Sequence, residues 1–160
     1  MSEVRIATPD EIDAVMEAAL AACEENGFVQ PNPEKLAAEL WQALNLNYGM
    51  IGVIGEPGKP IEAAVLLRIG AMWYSDQMVV EEKAVFIAPG YRDAKGKRME
   101  KICQFSKSVA DSLGFPLMIG VLSNHRTKAK VRLYEREFGK SAGAFFLYRA
   151  KTGEYQQAAE

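Results

Sequence analysis

Apolar residues recur along this 160-residue chain with two different periods, and these periods predict both helices and strands. After a short strand candidate at residues 4–7, the run Thr8-Pro9-Asp10-Glu11 supplies a helix cap, a first-turn proline and a capping-box glutamate. Apolar side chains then follow every three or four positions, which predicts a helix ending at Gly27. A second helix is predicted to begin at Asn32-Pro33.

The middle of the chain predicts three antiparallel strands. Residues 48–55 and 61–74 are apolar and rich in strand-forming side chains, and the turn sequence Glu56-Pro57-Gly58-Lys59-Pro60 separates them. Ser75-Asp76 marks a second turn, after which residues 77–88 form the third strand candidate. Short connections of this kind predict a meander in which each strand pairs with the next.

The second half of the chain alternates helix and strand. An amphipathic helix is predicted up to Gly114, and residues 117–122 then form an apolar strand that we expect to be buried on both faces. A helix at residues 126–138 and a last strand at residues 142–150 follow. The order β-α-α-β-β-β-α-β-α-β predicts a mixed α/β fold with one right-handed crossover after an antiparallel meander.

Length and composition limit the class of protein. We expect one domain at residues 1–150 and a frayed polar tail at residues 151–160. The chain is 49% hydrophobic and 25% charged, and no apolar run is long enough to span a bilayer. The start of the chain does not resemble a signal peptide, so we expect a cytoplasmic protein without a membrane partner. A net charge of −2 argues against nucleic acid as an obligatory partner, and we expect a monomer or a homodimer.

Cys23 and Cys103 are isolated in the sequence. Neither has a Cys or His neighbour at metal-ligand spacing, and each lies on the apolar side of a predicted helix. We therefore expect two buried thiols and no metal site.

The chemically most informative segment is residues 84–105, in which an apolar strand runs through a cation-rich loop into a helix. The start of a helix leaves backbone N–H groups unpaired and carries partial positive charge, so it suits an anionic phosphate. Arg92, Lys95, Lys97 and Arg98 surround this helix start. The segment predicts a local anion site or, alternatively, a solvated basic turn.

The element order and two motifs resemble the GNAT acetyltransferase superfamily over nearly the whole chain. The first motif is residues 85–92, where a strand leads into a Pro-Gly-Tyr-Arg turn. In the family such a turn precedes a glycine-rich loop whose amides hold the pyrophosphate of acetyl-CoA. The second motif is Asn124 followed by Leu133-Tyr134-Glu135 and a closing Gly139. Residues 79–82, Val-Val-Glu-Glu, are most similar to a group of phage-associated members of unassigned substrate.

Two features depart from the family pattern. The loop at residues 92–98 is one residue longer than usual and contains a single glycine, Gly96. The spacing from Asn124 to Tyr134 is longer by about one helical turn.

The resemblance implies an N-acetyltransferase that moves the acetyl group of acetyl-CoA directly to an amine acceptor in a ternary complex. Backbone groups near the end of the third meander strand would contact the pantetheine arm, and the cationic loop would contact the phosphates. The cofactor-binding residues implied in this way are Val85, Phe86, Ile87, Arg92, Lys95, Gly96, Lys97, Arg98 and Asn124.

The resemblance also implies the catalytic residues. Tyr134 would protonate the leaving thiolate, and either Glu81 or Glu82 would serve as base, directly or through water. The two glutamates are neighbours on a strand and face opposite ways, so we expect only one to reach the cleft. His125 is a further candidate base. Tyr134 could instead be a packed core residue, and the glutamates a solvated strand face.

Several assignments remain open from the sequence. Trp73 and Tyr74 could belong to the core or line the acceptor pocket, and no motif identifies the acceptor. The charged run at residues 128–136 is interpreted as the solvated side of a helix. The alternative function is a non-catalytic GNAT-fold module that binds CoA or another anionic ligand, or a phage structural or interaction protein.

Overall fold

A five-stranded mixed sheet and four α-helices form within residues 2–93, 95–124 and 126–148, which the computed structural model describes. Short 3₁₀ turns precede the first and third helices. The elements in chain order are β1 (Arg5–Ile6), α1 (Ile12–Asn26), α2 (Pro33–Leu44), β2 (Gly49–Ile54), β3 (Ala63–Ala71), β4 (Met78–Ile87), α3 (Lys97–Leu113), β5 (Leu117–Met118) and α4 (Thr127–Phe138).

The strands lie in the order β1-β2-β3-β4-β5. The first four are antiparallel, which confirms the predicted meander, and β5 pairs with β4 in parallel after the α3 crossover. The β3–β4 ladder contains one irregularity, because Leu66 pairs with Ala84 whereas Leu67 pairs with Glu82. Lys83 is therefore an extra residue in β4, which makes this point a β-bulge.

The beginning of α1 is formed by the predicted capping box. The Thr8 N–H donates to Glu11 Oε2 at 2.9 Å, and the helix ends at Gly27 with φ of 61°. Glu11 also accepts two hydrogen bonds from the Arg5 guanidinium, at 2.7 and 2.9 Å. This pairing lowers the pKa of Glu11 to about 2 and fixes β1 against the helix start.

The sheet separates two apolar clusters. The α1 and α2 side buries alternate side chains of β2, and the α3 side buries alternate side chains of β3 and β4, as expected for strands covered on both faces. Side chains of the first cluster include Val15, Leu40, Leu44, Ile51 and Val53, and those of the second include Val65, Leu67, Val80, Ile102 and Val109.

Two predicted strands differ from the structure. The strand expected at residues 117–122 forms only at Leu117–Met118, and Met118 and Leu122 are about half-exposed, so burial on both faces was wrong. The reason is that the chain leaves β4 immediately after Met118. No strand forms at residues 142–148, whose side chains are exposed and lack a ladder partner, so the expected ten-element order is not reproduced in the described chain. Residues 149–150 and the expected tail at 151–160 lie outside the described residues.

The helices are short relative to a lipid bilayer. None of those in the described part of the chain is long and apolar enough to cross a membrane.

Candidate active site

The parallel ladder between β4 and β5 ends after two residue pairs, at Glu81 and Met118. The bulge at Lys83 follows at once, and a bulge bends its strand and increases its twist. The two segments separate beyond this point and leave an opening of about 360 Å³, which we name the splay cleft. Its lining residues are Ala22, Asn26, Glu81, Glu82, Lys83, Ala84, Val85, Met99, Met118, Ile119, Gly120, Val121, Leu122, Ser123, Lys130, Tyr134 and Phe145.

Glu82 and Tyr134 meet in the splay cleft. The Tyr134 hydroxyl donates a hydrogen bond to Glu82 Oε2 at 2.9 Å, and Tyr134 is buried. Burial raises the pKa of Glu82 to about 7, although the hydrogen bond from Tyr134 acts in the opposite direction. Burial and the neighbouring carboxylate raise the pKa of Tyr134 above its ordinary value. The pair therefore combines a carboxyl that titrates near neutral pH with a phenol that keeps its proton.

Both Glu81 and Glu82 line the splay cleft. The expectation that only one of the two side chains reaches into it stays a prediction. The Glu81 carboxylate lies 2.9 Å from the Lys83 ammonium, and both side chains are about 40% exposed. Glu81 is thus a solvated ion-paired group, whereas Glu82 is a desolvated one.

Cys103 packs behind the Glu82–Tyr134 pair on α3. It is fully buried, as predicted, whereas Cys23 is only partly buried. Burial, together with the nearby carboxylates of Glu137 and Glu82, raises the pKa of the Cys103 thiol to about 12. This thiol therefore stays protonated and is not a nucleophile.

A second cavity of about 510 Å³ adjoins the splay cleft and shares Ala22, Asn26, Val85, Met99 and Lys130 with it. We name it the basic cavity, because seven cationic and two acidic side chains contribute to its wall. Its other lining residues are Glu25, Phe86, Ile87, Tyr91, Arg92, Asp93, Lys95, Gly96, Arg98, Arg126, Ala129, Arg132, Leu133 and Arg136. An elongated ligand could occupy both cavities, with its anionic end among the cations.

Solved structures match this arrangement of elements, although no protein-family model and no curated protein sequence matches the chain. A structure described as a possible acetyltransferase from Clostridium difficile 630 has a TM-score of 0.68 at 14% identity, covering 94% of this chain and 98% of that chain. One described as a probable acetyltransferase has a TM-score of 0.70 at 14% identity, with coverages of 96% and 99%. An aminoglycoside acetyltransferase from an uncultured soil metagenomic sample, in complex with trehalose, has a TM-score of 0.65 at 14% identity, with coverages of 93% and 96%.

The fold is that of the GNAT acetyltransferases. Sequence identities this low show that the folds are similar, and they do not assign a role to any individual residue. The GNAT-like fold expected from the sequence is therefore confirmed, and the similarity to phage-associated members stays a prediction.

Two of the predicted phosphate-binding arginines in this GNAT fold are held in ion pairs. Arg92 donates to the Ile87 carbonyl oxygen at 2.9 Å and pairs with Glu25 on α1. Arg98 donates to Glu62, immediately before β3, at 2.8 and 2.9 Å and to the Tyr91 carbonyl oxygen at 3.0 Å. Both line the basic cavity, but their guanidinium groups also fix the loop to the sheet and to α1.

Two backbone amides at the start of α3 are occupied by the chain itself. Asp93 Oδ1 accepts hydrogen bonds from the Lys95 N–H at 2.9 Å and the Lys97 N–H at 3.2 Å. A carboxylate therefore fills the position where the resemblance implies a pyrophosphate. Lys97 points away from the cavity, with Nζ 3.9 Å from Glu100, whereas Lys95 lines it.

The single glycine of this loop is required by the approach of α4. Gly96 has φ of 65°, and a Cβ at this position would lie 2.9 Å from Leu133 Cδ1. Gly96 thus lets α4 pack directly against the start of α3, which closes the basic cavity on one side.

Asn124 is placed outside both cavity linings. Its side-chain amide donates to the Asn26 carbonyl oxygen at 2.6 Å, which ties the segment after β5 to the end of α1. The backbone of β4 is better placed than Asn124 to contact a ligand, since Val85 and Phe86 line the basic cavity beyond the last pairing with β5.

The α4 side chains that line the basic cavity were not among the sequence-predicted site residues. Lys130 and Arg132 lie on this wall together with Arg126, which precedes α4, although the charged run at residues 128–136 was interpreted as a solvated helix side. Spacing of i and i+4 between Arg126 and Lys130 was the available signal, because it places two cations on one helix face. Trp73 and Tyr74 are highly exposed at the β3–β4 turn and line neither cavity, and His125 lies outside the described residues.

Proposed function

We propose that this protein is an N-acetyltransferase that transfers the acetyl group of acetyl-CoA directly to an amine in a ternary complex. The observation that carries the proposal is the Glu82–Tyr134 pair, a neutral-titrating carboxyl bonded to a protonated phenol inside the splay cleft. The GNAT fold supports it, because structures named as acetyltransferases share the architecture that forms this cleft.

Acetyl-CoA would lie across both cavities. The pantetheine arm would follow the edge of β4 at Val85 and Phe86, where no β5 residue pairs with the strand. The thioester would then reach the splay cleft, and the nucleotide end would occupy the basic cavity. This orientation matches the charge of the two regions, since the cationic wall lies at the end that receives the phosphates.

Glu82 would act as the base. An amine must lose a proton as it attacks the thioester carbonyl, and a base works best when its pKa lies near the working pH. The pKa of Glu82, about 7, meets this condition. Glu81 is held by Lys83 and is partly exposed, so we assign it the role of attracting a cationic acceptor to the cleft entrance.

Tyr134 would act as the acid, and Glu82 would reprotonate the Tyr134 oxygen through the hydrogen bond that joins them. The amine nitrogen forms the new bond to the acetyl carbon while its proton passes to Glu82, directly or through water. The C–S bond breaks, and the thiolate takes the proton of the Tyr134 hydroxyl. Protonated Glu82 then returns its proton to the Tyr134 oxygen along the 2.9 Å hydrogen bond, which restores both groups.

A second candidate function is a CoA-binding module without turnover. The observation that favours it is the Asp93 carboxylate at the loop amides, which places negative charge next to the expected pyrophosphate position. Such a module would bind CoA and leave acetyl-CoA intact.

Release of free CoA thiol from acetyl-CoA, followed over a panel of amines, amino acids, peptides and aminoglycosides, separates the two functions. Amine-dependent thiol release that is lost in Glu82→Gln supports the acetyltransferase. Binding of CoA by calorimetry without thiol release supports the module, and no binding of CoA or acetyl-CoA contradicts both.

A further inference from the structure

Four cations converge on the basic cavity without an ion-pair partner among the described residues. Of the seven cationic side chains in the wall, Arg92, Arg98 and Arg136 are each paired with a carboxylate. The remaining four, Lys95, Arg126, Lys130 and Arg132, have no such partner in the part of the chain that the structure describes. The whole protein carries a net charge of −2, so this concentration of positive charge is local.

Two guanidinium groups of this wall lie close enough to Lys130 to influence its ammonium group. Burial lowers the pKa of the Lys130 ammonium and the Glu25 carboxylate acts in the opposite direction, while the neighbouring Arg92 and Arg126 guanidiniums lower it further. Lys130 Nζ also donates a hydrogen bond to Ser123 Oγ at 2.7 Å, and Ser123 lines the adjoining splay cleft. Bringing a multivalent anion among these groups would relieve their mutual repulsion, which is a source of binding energy.

The position of α4 makes its cations available to a ligand on the loop. Leu133 packs directly over Gly96, so the helix face that precedes Leu133 overhangs the start of α3. The loop amides of Lys95 and Lys97 meanwhile bind the Asp93 carboxylate. Side chains on and just before α4 thus supply this cavity with donors that these two loop amides do not.

We propose that Arg126, which immediately precedes α4, and Lys130 and Arg132 of α4, together with Lys95, form the site for the phosphate groups of the CoA nucleotide. The proposal rests on the proposed use of acetyl-CoA and adds to it a distinct mode of phosphate binding. Guanidinium and ammonium groups both form charge-assisted hydrogen bonds with phosphate oxygens, and the two arginines and two lysines supply both kinds of donor to the cavity.

The test compares Arg132→Gln with Lys128→Gln on the same helix. Lys128 is exposed and lines neither cavity, so both variants lose one positive charge but only the first loses a cavity cation. Calorimetric titrations use CoA, adenosine 3′,5′-bisphosphate and acetyl-pantetheine, which lacks the nucleotide. Arg132→Gln should weaken CoA and the bisphosphate about 5- to 10-fold, the loss expected for one charge-assisted bond, and leave acetyl-pantetheine unchanged. Lys128→Gln should bind all three as the wild type does.

Arg126→Asn provides a second, independent variant. Arg126 has φ of 52°, and asparagine tolerates this left-handed conformation, so the backbone is kept. It should weaken the same two ligands, and unchanged thermal unfolding would show that the fold is intact. Equal affinities for CoA in wild type, Arg132→Gln and Arg126→Asn would overturn the α4 site, even if acetyl transfer proceeds. Arginine-dependent binding of the bisphosphate without thiol release would uphold the α4 site and contradict the acetyltransferase.

Discussion

The Tyr134 hydroxyl donates a 2.9 Å hydrogen bond to Glu82 Oε2, and this bond joins α4 to β4 across the splay cleft. The two groups affect each other's proton affinity in opposite ways. The phenol lowers the pKa of the buried carboxyl, whereas the carboxylate raises the pKa of the phenol. A change in either residue should therefore be visible in the titration of the other.

Tyr134→Phe is expected to slow acetyl transfer about 100-fold, because the leaving thiolate loses its proton donor. The variant also lacks the hydrogen bond that lowers the Glu82 pKa, so the rise of rate with pH should move above about pH 7. Steady-state rates measured across this pH range, with CoA affinity from calorimetry as the control, test both effects. An unchanged rate and pH profile would leave Tyr134 as a packing residue only.

Glu82→Gln is expected to reduce the rate about 100-fold and to abolish its rise near pH 7, since the amide does not accept a proton in this range. Glutamine keeps an oxygen that can accept the Tyr134 hydrogen bond, so the cleft should keep its shape. Glu81→Gln is the matched control on the neighbouring position and should retain the pH dependence. If Glu81→Gln lost the pH dependence instead, the assignment of the base would be reversed.

The raised pKa of Glu82 also predicts how stability depends on pH. The folded protein holds this proton up to about pH 7, whereas the unfolded chain releases it near pH 4.5. Protonation of Glu82 therefore contributes fully to the free energy of unfolding below pH 4.5, and this contribution is lost as the pH rises to about 7. The loss should be on the order of 1–3 kcal/mol. Urea unfolding at several pH values should show this decline in wild type and in Glu81→Gln, and a flatter curve in Glu82→Gln.

Gly96 and Gly114 allow two effects of glycine to be separated. Both have left-handed φ, 65° and 70°, at the two ends of α3, so alanine at either position should cost about 1–2 kcal/mol of unfolding free energy. Only Gly96→Ala also places its Cβ 2.9 Å from Leu133, whereas the space around Gly114 is open. Gly96→Ala should therefore be the more destabilising in urea unfolding. Combining it with Leu133→Ala should cost less than the sum of the two single changes, and strict additivity would argue against the contact.

The ion pairs Arg98–Glu62 and Arg68–Glu39 differ mainly in exposure. Side chains of the first pair are 16% and 21% exposed, and those of the second are 53% and 50% exposed. Arg98→Met should cost about 1–3 kcal/mol, because it leaves Glu62 and the Tyr91 carbonyl without their donor. Arg68→Met should cost less than about 0.5 kcal/mol, as is usual for a solvated pair. Similar losses in thermal unfolding of the two variants would contradict this assignment.

The sequence predicted the elements that local signals control. The capping box at Thr8 and Glu11 and the left-handed glycines at the helix ends are short-range features, and each lies where it was expected. The strand after α3 was predicted too long because its apolar residues indicate burial, whereas its actual length depends on where β4 bends away.

The bulge at Lys83 explains why the site itself was only partly predicted. Regular alternation would place Glu82 on the same face as Ala84 and Phe86. The extra residue instead aligns Glu82 with Val85, whose β3 partners Leu67 and Val65 belong to the same core. No residue type in β4 indicates the extra residue at the bulge. The hydrogen bond between Glu82 and Tyr134 could therefore not be predicted from the sequence and is seen only in the folded structure.

The hydrogen bonds and ion pairs formed by side chains of the loop before α3 could not be predicted from the sequence either. The sequence shows that the loop before α3 is rich in cations. It could not show that Asp93 accepts hydrogen bonds from the helix amides, or that Arg92 and Arg98 pair with distant glutamates. The two glutamates lie on α1 and immediately before β3, which are far from the loop in the chain and meet it only after the sheet has formed.

The fluorescence of Trp73 can report on what binds near the β3–β4 turn. The chain has two tryptophans, of which Trp73 is 93% exposed at the β3–β4 turn and Trp41 is 49% exposed on α2. Trp73 is surrounded by water in the folded state and Trp41 is half-exposed, so unfolding should shift the emission wavelength less than it would for two buried indoles. A small ligand in either cavity should leave the Trp73 signal unchanged, because this side chain lines neither. A macromolecule that covered the β3–β4 turn would shift the fluorescence to the blue, which distinguishes docking at this end of the sheet from occupation of the cleft.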